Sequence, residues 1–102
     1  SHNLRFSTQP LTRPLTQLDA PHSMLAVRMS QNILGIMGDH KYDNPAILVS
    51  ELLLVGMKFV SLQEELLLLT VRQLIGNPRE HSIRKGWELL RKMLSRLEKF
   101  WI

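Results

Sequence analysis

The 102-residue chain lacks cysteine, and aromatic residues make up only 6% of it. The absence of cysteine excludes disulfides and thiolate metal ligands and fits a reducing compartment. Uninterrupted apolar runs are short, as in the four leucines at 66–69, so we expect no membrane-spanning segment. No apolar stretch follows the polar N-terminus, and we therefore expect no signal peptide. These absences fit an intracellular protein.

Apolar residues make up 44% of the chain, which is ordinary for a globular protein and too high for a disordered one. A composition rich in leucine and poor in aromatic residues favours packed helices over sheets. The length leaves room for one domain. We therefore predict a single all-α domain over residues 1–102. It would consist of an extended arm over 1–20 and a compact bundle of about four main helices over 21–102.

The predicted arm contains Pro10 and Pro14 and shows no helical period. An extended segment that carries its own apolar residues is expected to lie against the core rather than to act as a free linker. The apolar residues of this arm are Phe6, Leu11, Leu15 and Leu18.

Capping and stop signals define the first two helices. Asp19 is expected to cap a helix over 21–37 that ends at Gly38. Asn44, followed by proline, is the expected N-cap of the second helix. Gly56 lies inside that helix, where its cost of about 1 kcal/mol relative to alanine indicates a close helix crossing. The apolar stripes of the two helices are Leu25, Met29, Ile33 and Ile36, and Leu48, Leu52, Val55 and Phe59.

The third helix is predicted from a capping box that joins Ser61 to Glu64. Four consecutive leucines at 66–69 point to every side of such a helix, so we expect it to be the buried centre of the bundle. Gly76 is expected to end it.

The fourth helix has two possible starting points, Asn77 and Ser82. Trp87 is predicted to lie in the core, where truncation to alanine would cost about 3–5 kcal/mol. The predicted seam follows a heptad spacing through Ile83, Trp87, Leu90, Leu94, Leu97 and Trp101, widened by Leu89, Met93 and Phe100.

Residue patterns that support catalysis or metal binding are missing. The histidines at positions 2, 22, 40 and 81 are scattered, and the nearest approach to a metal site is His40 beside Asp39 and Asp43. Glu64 and Glu65 are adjacent and so point about 100° apart on a helix. No nucleophile elbow or phosphate-binding glycine loop is present. We predict no catalytic residues, no cofactor, no metal and no small-molecule substrate.

Positive charge is concentrated at the C-terminal end, where residues 82–102 contain six basic and two acidic residues. Such a segment is either a solvated helix face or a binding surface for an anionic partner. We do not expect nucleic acid as that partner, because the tryptophans are predicted to lie on the face opposite the basic residues. The apolar stripe is needed for the bundle, which argues against a membrane-surface helix.

The order and spacing of several short motifs resemble the myosin tail homology 4 domain, a helical module of unconventional myosin and kinesin tails. The matching positions are Phe6-Ser7, Pro10-Leu11, Pro14-Leu15, Ile33-Leu34, Met37-Gly38-Asp39, Leu62 with Glu64-Glu65, Arg72-Gln73, Asn77-Pro78 and Lys85-Gly86-Trp87-Glu88-Leu89-Leu90. Leu67 and Leu69 depart from the tyrosine and glutamine usual in that family. A basic helix with Arg91-Lys92 stands where the family continues with an apolar stretch and a Pro-Pro turn. The resemblance therefore implies a module that is shortened or divergent at its C-terminus, or completed by another chain.

The resemblance implies a non-catalytic, cytoskeleton-associated module that binds cargo proteins or microtubules and adjoins a FERM domain. We predict that a basic helix face binds an acidic partner by charge complementarity. The residues nominated from charge clustering are Arg79, Arg84, Lys85, Arg91 and Lys92. Two alternatives remain open: a helical element that self-associates along the seam of the fourth helix, and a regulatory segment of a larger signalling protein.

Overall fold

The computed structural model describes residues 6–9, 12–38 and 44–97. These residues form helices α1 (Ala20–Ile36), α2 (Pro45–Lys58), α3 (Gln63–Leu74) and α4 (Glu80–Arg96), with a 3₁₀ turn at Val60–Leu62. Each helix packs against the other three, and the described residues contain no strand. The all-α prediction is confirmed. The shared core contains Met29, Ile33, Ile36, Met37, Leu52, Leu53, Leu66, Leu69, Leu89, Met93 and Leu97.

Helix α1 begins and ends where its local signals predict. The Asp19 carboxylate accepts a hydrogen bond from the backbone N–H of His22 at 3.0 Å. Gly38 follows the helix with φ of 81°, a left-handed conformation that favours glycine. Helix α2 also begins at the predicted proline, but the Asn44 side chain makes no capping hydrogen bond.

Gly56 lies at a close helix crossing, as predicted. A Cβ at this position would be 3.0 Å from Leu97 Cδ2 and 3.2 Å from Leu66 Cδ1. The crossing is also held by the buried side chain of Gln63, whose Nε2 donates to the Gly56 carbonyl oxygen at 2.9 Å. The absence of a side chain at position 56 therefore lets α2 pack closely on α3 and on the end of α4.

The start of α3 differs from the prediction. Ser61 lies inside the 3₁₀ turn, and the residue before the helix is Leu62, which makes no side-chain capping bond. The chain bends by 116° between α2 and α3, and Leu62 is completely buried at this bend. Burial of a leucine at the bend thus takes the place of the predicted serine cap. Gly76 follows the helix with φ of 70°, as predicted.

A buried asparagine connects the end of α3 to the start of α4. Asn77 Nδ2 donates to the Gln73 carbonyl oxygen and to Ser82 Oγ, both at 2.9 Å, while its Oδ1 accepts from the backbone N–H of Arg79 at 2.8 Å. Neither predicted start is used as a helix cap, because α4 begins at Glu80 and Ser82 lies within its first turn. Asn77 instead fixes the corner between the two helices.

The rotation of α4 differs from the predicted seam. Trp87 is 54% exposed and Leu94 is 38% exposed, so neither belongs to the core, and Trp101 lies outside the described residues. The reason is Gly86, which faces the bundle so closely that an added Cβ would lie 2.7 Å from Met37 Cε and Leu74 Cδ2. The side of α4 that is buried contains Ser82, Gly86, Leu89, Leu90 and Met93.

This rotation changes the expected cost of truncating the tryptophan. We now expect Trp87→Ala to lower the free energy of unfolding by about 1–2 kcal/mol, because much of the ring is already hydrated. Met93→Ala, at a fully buried position on the same helix, is expected to cost about 2–5 kcal/mol. Urea denaturation followed by circular dichroism measures both. A larger loss for Trp87 than for Met93 would contradict the rotation described here.

The arm lies on the bundle and is held by polar as well as apolar contacts. Leu15 packs against the core. The fully buried carboxylate of Glu65 accepts hydrogen bonds from the backbone N–H groups of Leu15 (2.6 Å) and Thr16 (2.7 Å) and from Thr16 Oγ1 (2.5 Å). We call this set of contacts the arm latch. Leu11 is outside the described residues.

Two further hydrogen bonds hold the start of the arm against α3. Gln73 Nε2 donates to the Ser7 carbonyl oxygen at 2.8 Å, and the Phe6 N–H donates to the Ile75 carbonyl oxygen at 3.0 Å. These polar contacts were not predicted from the sequence. The sequence did contain a signal for them. Glu65 and Gln73 lie on the same side of α3 as Leu69, at a spacing of four residues, which places two polar side chains on a buried side of the helix.

In the described residues no single helix is both long and apolar enough to cross a membrane. The segment from α2 through the 3₁₀ turn to α3 is long and apolar enough by length and composition alone, but it is bent by 116°.

Candidate interaction surface on the fourth helix

The nominated basic residues lie on α4 or immediately before it. Arg84, Lys85, Arg91 and Lys92 are on the helix, and Arg79 is the residue that precedes it. All are exposed except Lys85, which is half-buried. The helix that carries them is fixed to the core through Leu89 and Met93. The structure therefore presents these side chains from a rigid element.

The four basic residues of α4 divide into two pairs on different sides of the helix. Arg84 and Arg91 are seven residues apart and lie on the side that exposes Trp87, three residues before it and four after it. The prediction that the tryptophans and the basic residues occupy opposite faces is therefore wrong for Trp87. We call the three residues the Arg-Trp-Arg side.

The other pair lines a groove between α4 and the start of α2. Lys85 and Lys92 stand on one wall of this hollow of about 220 Å³, and Pro45 and Ala46 form the opposite wall. Its apolar lining is provided by Ile36, Val49 and Leu89, and Glu88 also contributes. We call this hollow the lysine groove. It combines a concave apolar floor with two ammonium groups, whereas the Arg-Trp-Arg side lies on the other flank of the helix.

The basic residues of α4 carry charge that is not neutralised within the described residues. None of Arg84, Lys85, Arg91 and Lys92 forms an ion pair there. Elsewhere in the described residues, Arg28 forms an ion pair with Glu51 at 2.9 Å, between α1 and α2, and the His22 imidazole lies 3.2 Å from the Asp19 carboxylate. The charge of these four side chains is thus not offset by an ion pair within the described part of the bundle.

A second exposed surface lies on the outer side of α2 and was not predicted. Ile47 and Leu54 are both more than 60% exposed, seven residues apart, and they border a hollow of about 460 Å³ that extends to Phe59. The Phe59 ring is held in place by the edge of the His22 ring, with 5.3 Å between centroids, and by Lys58 Nζ at 5.5 Å. The sequence signal was the apolar pair at helical spacing outside the inner stripe.

Catalytic and metal chemistry find no support in the described part of the chain. No group of three or more potential metal ligands occurs there. His40, with Asp39 and Asp43, lies outside the described residues. Burial lowers the pKa of the Arg72 guanidinium by desolvation. This group donates to Gln73 Oε1 at 3.1 Å, so it belongs to the packing beneath the arm rather than to the α4 surface.

The chain is similar in sequence to segments of several myosins. It is 33% identical over 87 residues to the high molecular weight form of myosin-1 of Acanthamoeba castellanii, and 34% identical over 89 residues to human unconventional myosin-XVB. Human unconventional myosin-XV is 34% identical over 90 residues. The matches cover 85–86% of this chain but only 6%, 3% and 2% of those proteins. No family model matches the chain.

Among solved structures, the Dictyostelium discoideum myosin VII MyTH4-FERM MF2 domain has the same fold. Its TM-score is 0.82 with 24% identity, over 85% of this chain and 18% of that one. The chain is thus a helical domain that is similar in sequence to segments of myosins and has the fold of a myosin VII MyTH4-FERM structure. These findings bear out the resemblance to the myosin tail homology 4 (MyTH4) domain that was drawn from its motifs.

These similarities favour a non-catalytic protein-interaction module over an enzyme. The relatives of this chain are myosins, so the context is that of cytoskeletal motors.

Proposed function

We propose that this domain binds an acidic protein surface through the basic residues on and before α4. The partner is a microtubule or a cargo protein, and the domain acts in the cytoplasm in association with the cytoskeleton. The observation that carries the proposal is the set of four basic side chains on α4, which have no ion-pair partner among the described residues. Arg79, the residue before α4, is a fifth exposed basic residue and lies beside the Asn77 corner.

The physical basis of the proposed binding is charge complementarity from a rigid helix. Each exposed ion pair contributes little, about 0.2–1 kcal/mol, so the affinity depends on several contacts together. Screening by salt is strong because the Debye length shortens from about 10 Å at 0.1 M to about 3 Å at 1 M. The proposed interaction is therefore sensitive to ionic strength.

Reversal of charge on α4 tests the proposal. We expect the combination of Arg84→Glu, Lys85→Glu, Arg91→Glu and Lys92→Glu to abolish co-sedimentation with microtubules without lowering thermal stability, because these side chains pack little in the core. Co-sedimentation across a series of salt concentrations, together with thermal melting by circular dichroism, measures both effects.

Paired variants provide matched controls for the same assay. Arg84→Glu with Arg91→Glu and Lys85→Glu with Lys92→Glu change the charge equally on the two sides of α4. Arg13→Glu with Lys58→Glu makes the same change at exposed positions away from α4 and is expected to leave binding within about twofold, because distant exposed charges are screened. Unchanged co-sedimentation of the fourfold variant would exclude microtubule binding through this surface. Equal loss in the distant pair would show that net charge alone drives binding.

We further propose that residues 1–102 act as one unit and that the arm belongs to it. The hydrogen bonds from the arm to Glu65, Gln73 and Ile75 support this boundary. The chain spans at most about 6% of the length of the curated relatives that it matches. A FERM domain beside it, as in the solved myosin VII MyTH4-FERM structure, is part of the proposal.

Self-association is the second candidate function. Trp87 and Leu94 are seven residues apart and leave an exposed apolar stripe on α4. The rest of the predicted seam is less available, because Leu90 and Leu97 are buried within the bundle. A dimer that withstands dilution in light scattering, and that Trp87→Ala dissociates, would favour this candidate. A monomer at all concentrations would exclude it.

A further inference from the structure

The arm latch contains a buried negative charge that the arm itself stabilises. The Glu65 side chain is fully buried, and no basic group forms an ion pair with it among the described residues. Two backbone N–H groups and the Thr16 hydroxyl donate to its oxygens at 2.5–2.7 Å. A buried carboxylate needs such donors, because without them its burial is very unfavourable. The closed position of the arm therefore depends on donors at this point.

Thr16 lies in a segment that a modifying enzyme can engage. Residues 12–18 form no helix or strand, and Arg13 and Gln17 on either side of the hydroxyl are exposed. Arg13 stands three residues before Thr16 and forms no ion pair among the described residues. Protein kinases discriminate substrates by the charge pattern around the acceptor, and one large class selects arginine at this position in an extended segment.

We propose that Thr16 is a phosphorylation site and that its phosphorylation releases the arm from α3. The reaction requires a protein kinase and a nucleoside triphosphate. Thr16 Oγ1 attacks the γ-phosphorus, the new O–P bond forms as the bond to the nucleoside diphosphate breaks, and a base of the kinase takes the hydroxyl proton. The product carries a phosphate in place of the hydroxyl that donated to Glu65.

The phosphorylated arm is incompatible with the closed latch. A phosphothreonine carries about 1.5–2 negative charges at neutral pH and has lost its hydroxyl donor. In the closed position these charges would lie beside the buried carboxylate of Glu65, at a place where the hydroxyl oxygen now lies 2.5 Å from it. Like charges at that distance, away from water, repel strongly. The kinase acts when the arm opens locally, and the phosphate then prevents it from closing again.

Release of the arm uncovers a surface between α1 and α3. Gln9 lines a small hollow there together with Ile33, Leu34 and Leu69. Leu15 also leaves its place against the core. The modification thereby exchanges a covered apolar strip for an exposed one without altering α4.

The test uses the isotopically labelled chain, magnesium ATP and the catalytic domain of an arginine-directed kinase. We expect one phosphate on Thr16, located by tandem mass spectrometry. The two backbone amides that donate to Glu65, those of Leu15 and Thr16, then exchange with deuterium at least tenfold faster in NMR. The amides of Leu89 and Met93 in α4 are expected to stay within twofold, because the bundle remains folded.

Substitutions distinguish the phosphorylation of Thr16 from its effect on the position of the arm. Thr16→Val prevents phosphorylation and retains the two backbone donors to Glu65, so exchange of the Leu15 amide is expected to stay slower than in the phosphorylated chain. Arg13→Gln slows phosphorylation at least tenfold. Thr16→Glu accelerates exchange of the Leu15 amide, and the acceleration is smaller when Thr16→Glu with Glu65→Gln is compared with Glu65→Gln alone, because the repulsion is then reduced. This comparison does not depend on the kinase.

Four results would overturn the proposal. The first is phosphate at Thr12 or another position with Thr16 unmodified, and the second is no modification even in a peptide of residues 10–20. The third is phosphorylated Thr16 with unchanged exchange at Leu15. The fourth is accelerated exchange throughout α4, which would mean that the phosphate unfolds the whole domain rather than releasing the arm.

Discussion

Replacement of Glu65 by alanine is expected to lower the free energy of unfolding by about 3–5 kcal/mol. The substitution removes an acceptor from the backbone N–H groups of Leu15 and Thr16 and leaves a cavity beneath the arm. A hydrogen bond to a charged group contributes about 1.5–3 kcal/mol, and a buried donor left without a partner costs about 1–3 kcal/mol. Chemical denaturation followed by circular dichroism measures the loss, which is a large part of the stability of a domain of this size.

Two matched variants test whether the latch is responsible. Glu64→Ala removes the neighbouring carboxylate at an exposed position and is expected to cost less than about 1 kcal/mol. Glu65→Gln retains one acceptor oxygen and should fall between the two. Similar losses at positions 64 and 65 would point to a general effect of charge on α3 and contradict a specific latch. Faster amide exchange at Leu15 and Thr16 in Glu65→Ala would locate the damage in the arm.

Replacement of Leu66 by alanine is expected to cost about 2–5 kcal/mol. Its side chain is fully buried, and its Cδ1 lies where a Cβ on Gly56 would be only 3.2 Å away. Truncation therefore empties the contact between α2 and α3, where the two backbones are already close and little relaxation is possible. Urea denaturation gives the change in unfolding free energy, with the slope checked for two-state behaviour.

Leu68 is the control for this prediction within the same run of leucines. It is only half-buried and lies outside the core cluster. Leu68→Ala is expected to cost no more than about half as much as Leu66→Ala, since less apolar surface is lost. Equal costs would show that the run packs on all sides, as its composition alone implies, and would contradict the orientation of α3.

Local signals predicted those parts of the fold that local chemistry determines. Asp19 and the glycines at 38 and 76 act within one turn of the helix end that they define, and each was found in its predicted role. The starts of α3 and α4 were not predictable in the same way. Burial of Leu62 and the hydrogen bonds of Asn77 depend on the packing of neighbouring helices, which a capping motif does not show.

Helix α4 has two apolar stripes, and either could be buried against the bundle. Trp87 and Leu94 follow a helical spacing as good as that of Leu89 and Met93, so periodicity alone does not decide which side is buried. Gly86 favours the observed rotation, because a Cβ at this position would meet Met37 Cε and Leu74 Cδ2 at 2.7 Å and these side-chain ends would have to shift. That fit is visible only once the neighbouring helices are in place.

The candidate site was partly accessible from the sequence. Charge clustering identified four basic residues that lie on one helix, three of them exposed, and their positions along the helix predict the division into two sides. The arm latch was not accessible, because Glu65 and the donors of the arm are 49–50 residues apart in the chain. Whether the nominated residues contact a partner stays a prediction.

The close approach at Gly86 also means that a buried contact helps to determine which residues α4 exposes on its outer surface. A Cβ added at position 86 would lie 2.7 Å from Met37 Cε and Leu74 Cδ2, so either these side-chain ends shift or the helix turns. A turn of the helix would redirect both Lys85 and Trp87 although neither residue had been altered. A buried glycine can thus affect binding by orienting exposed residues, and selection for binding can act on a residue that no partner touches.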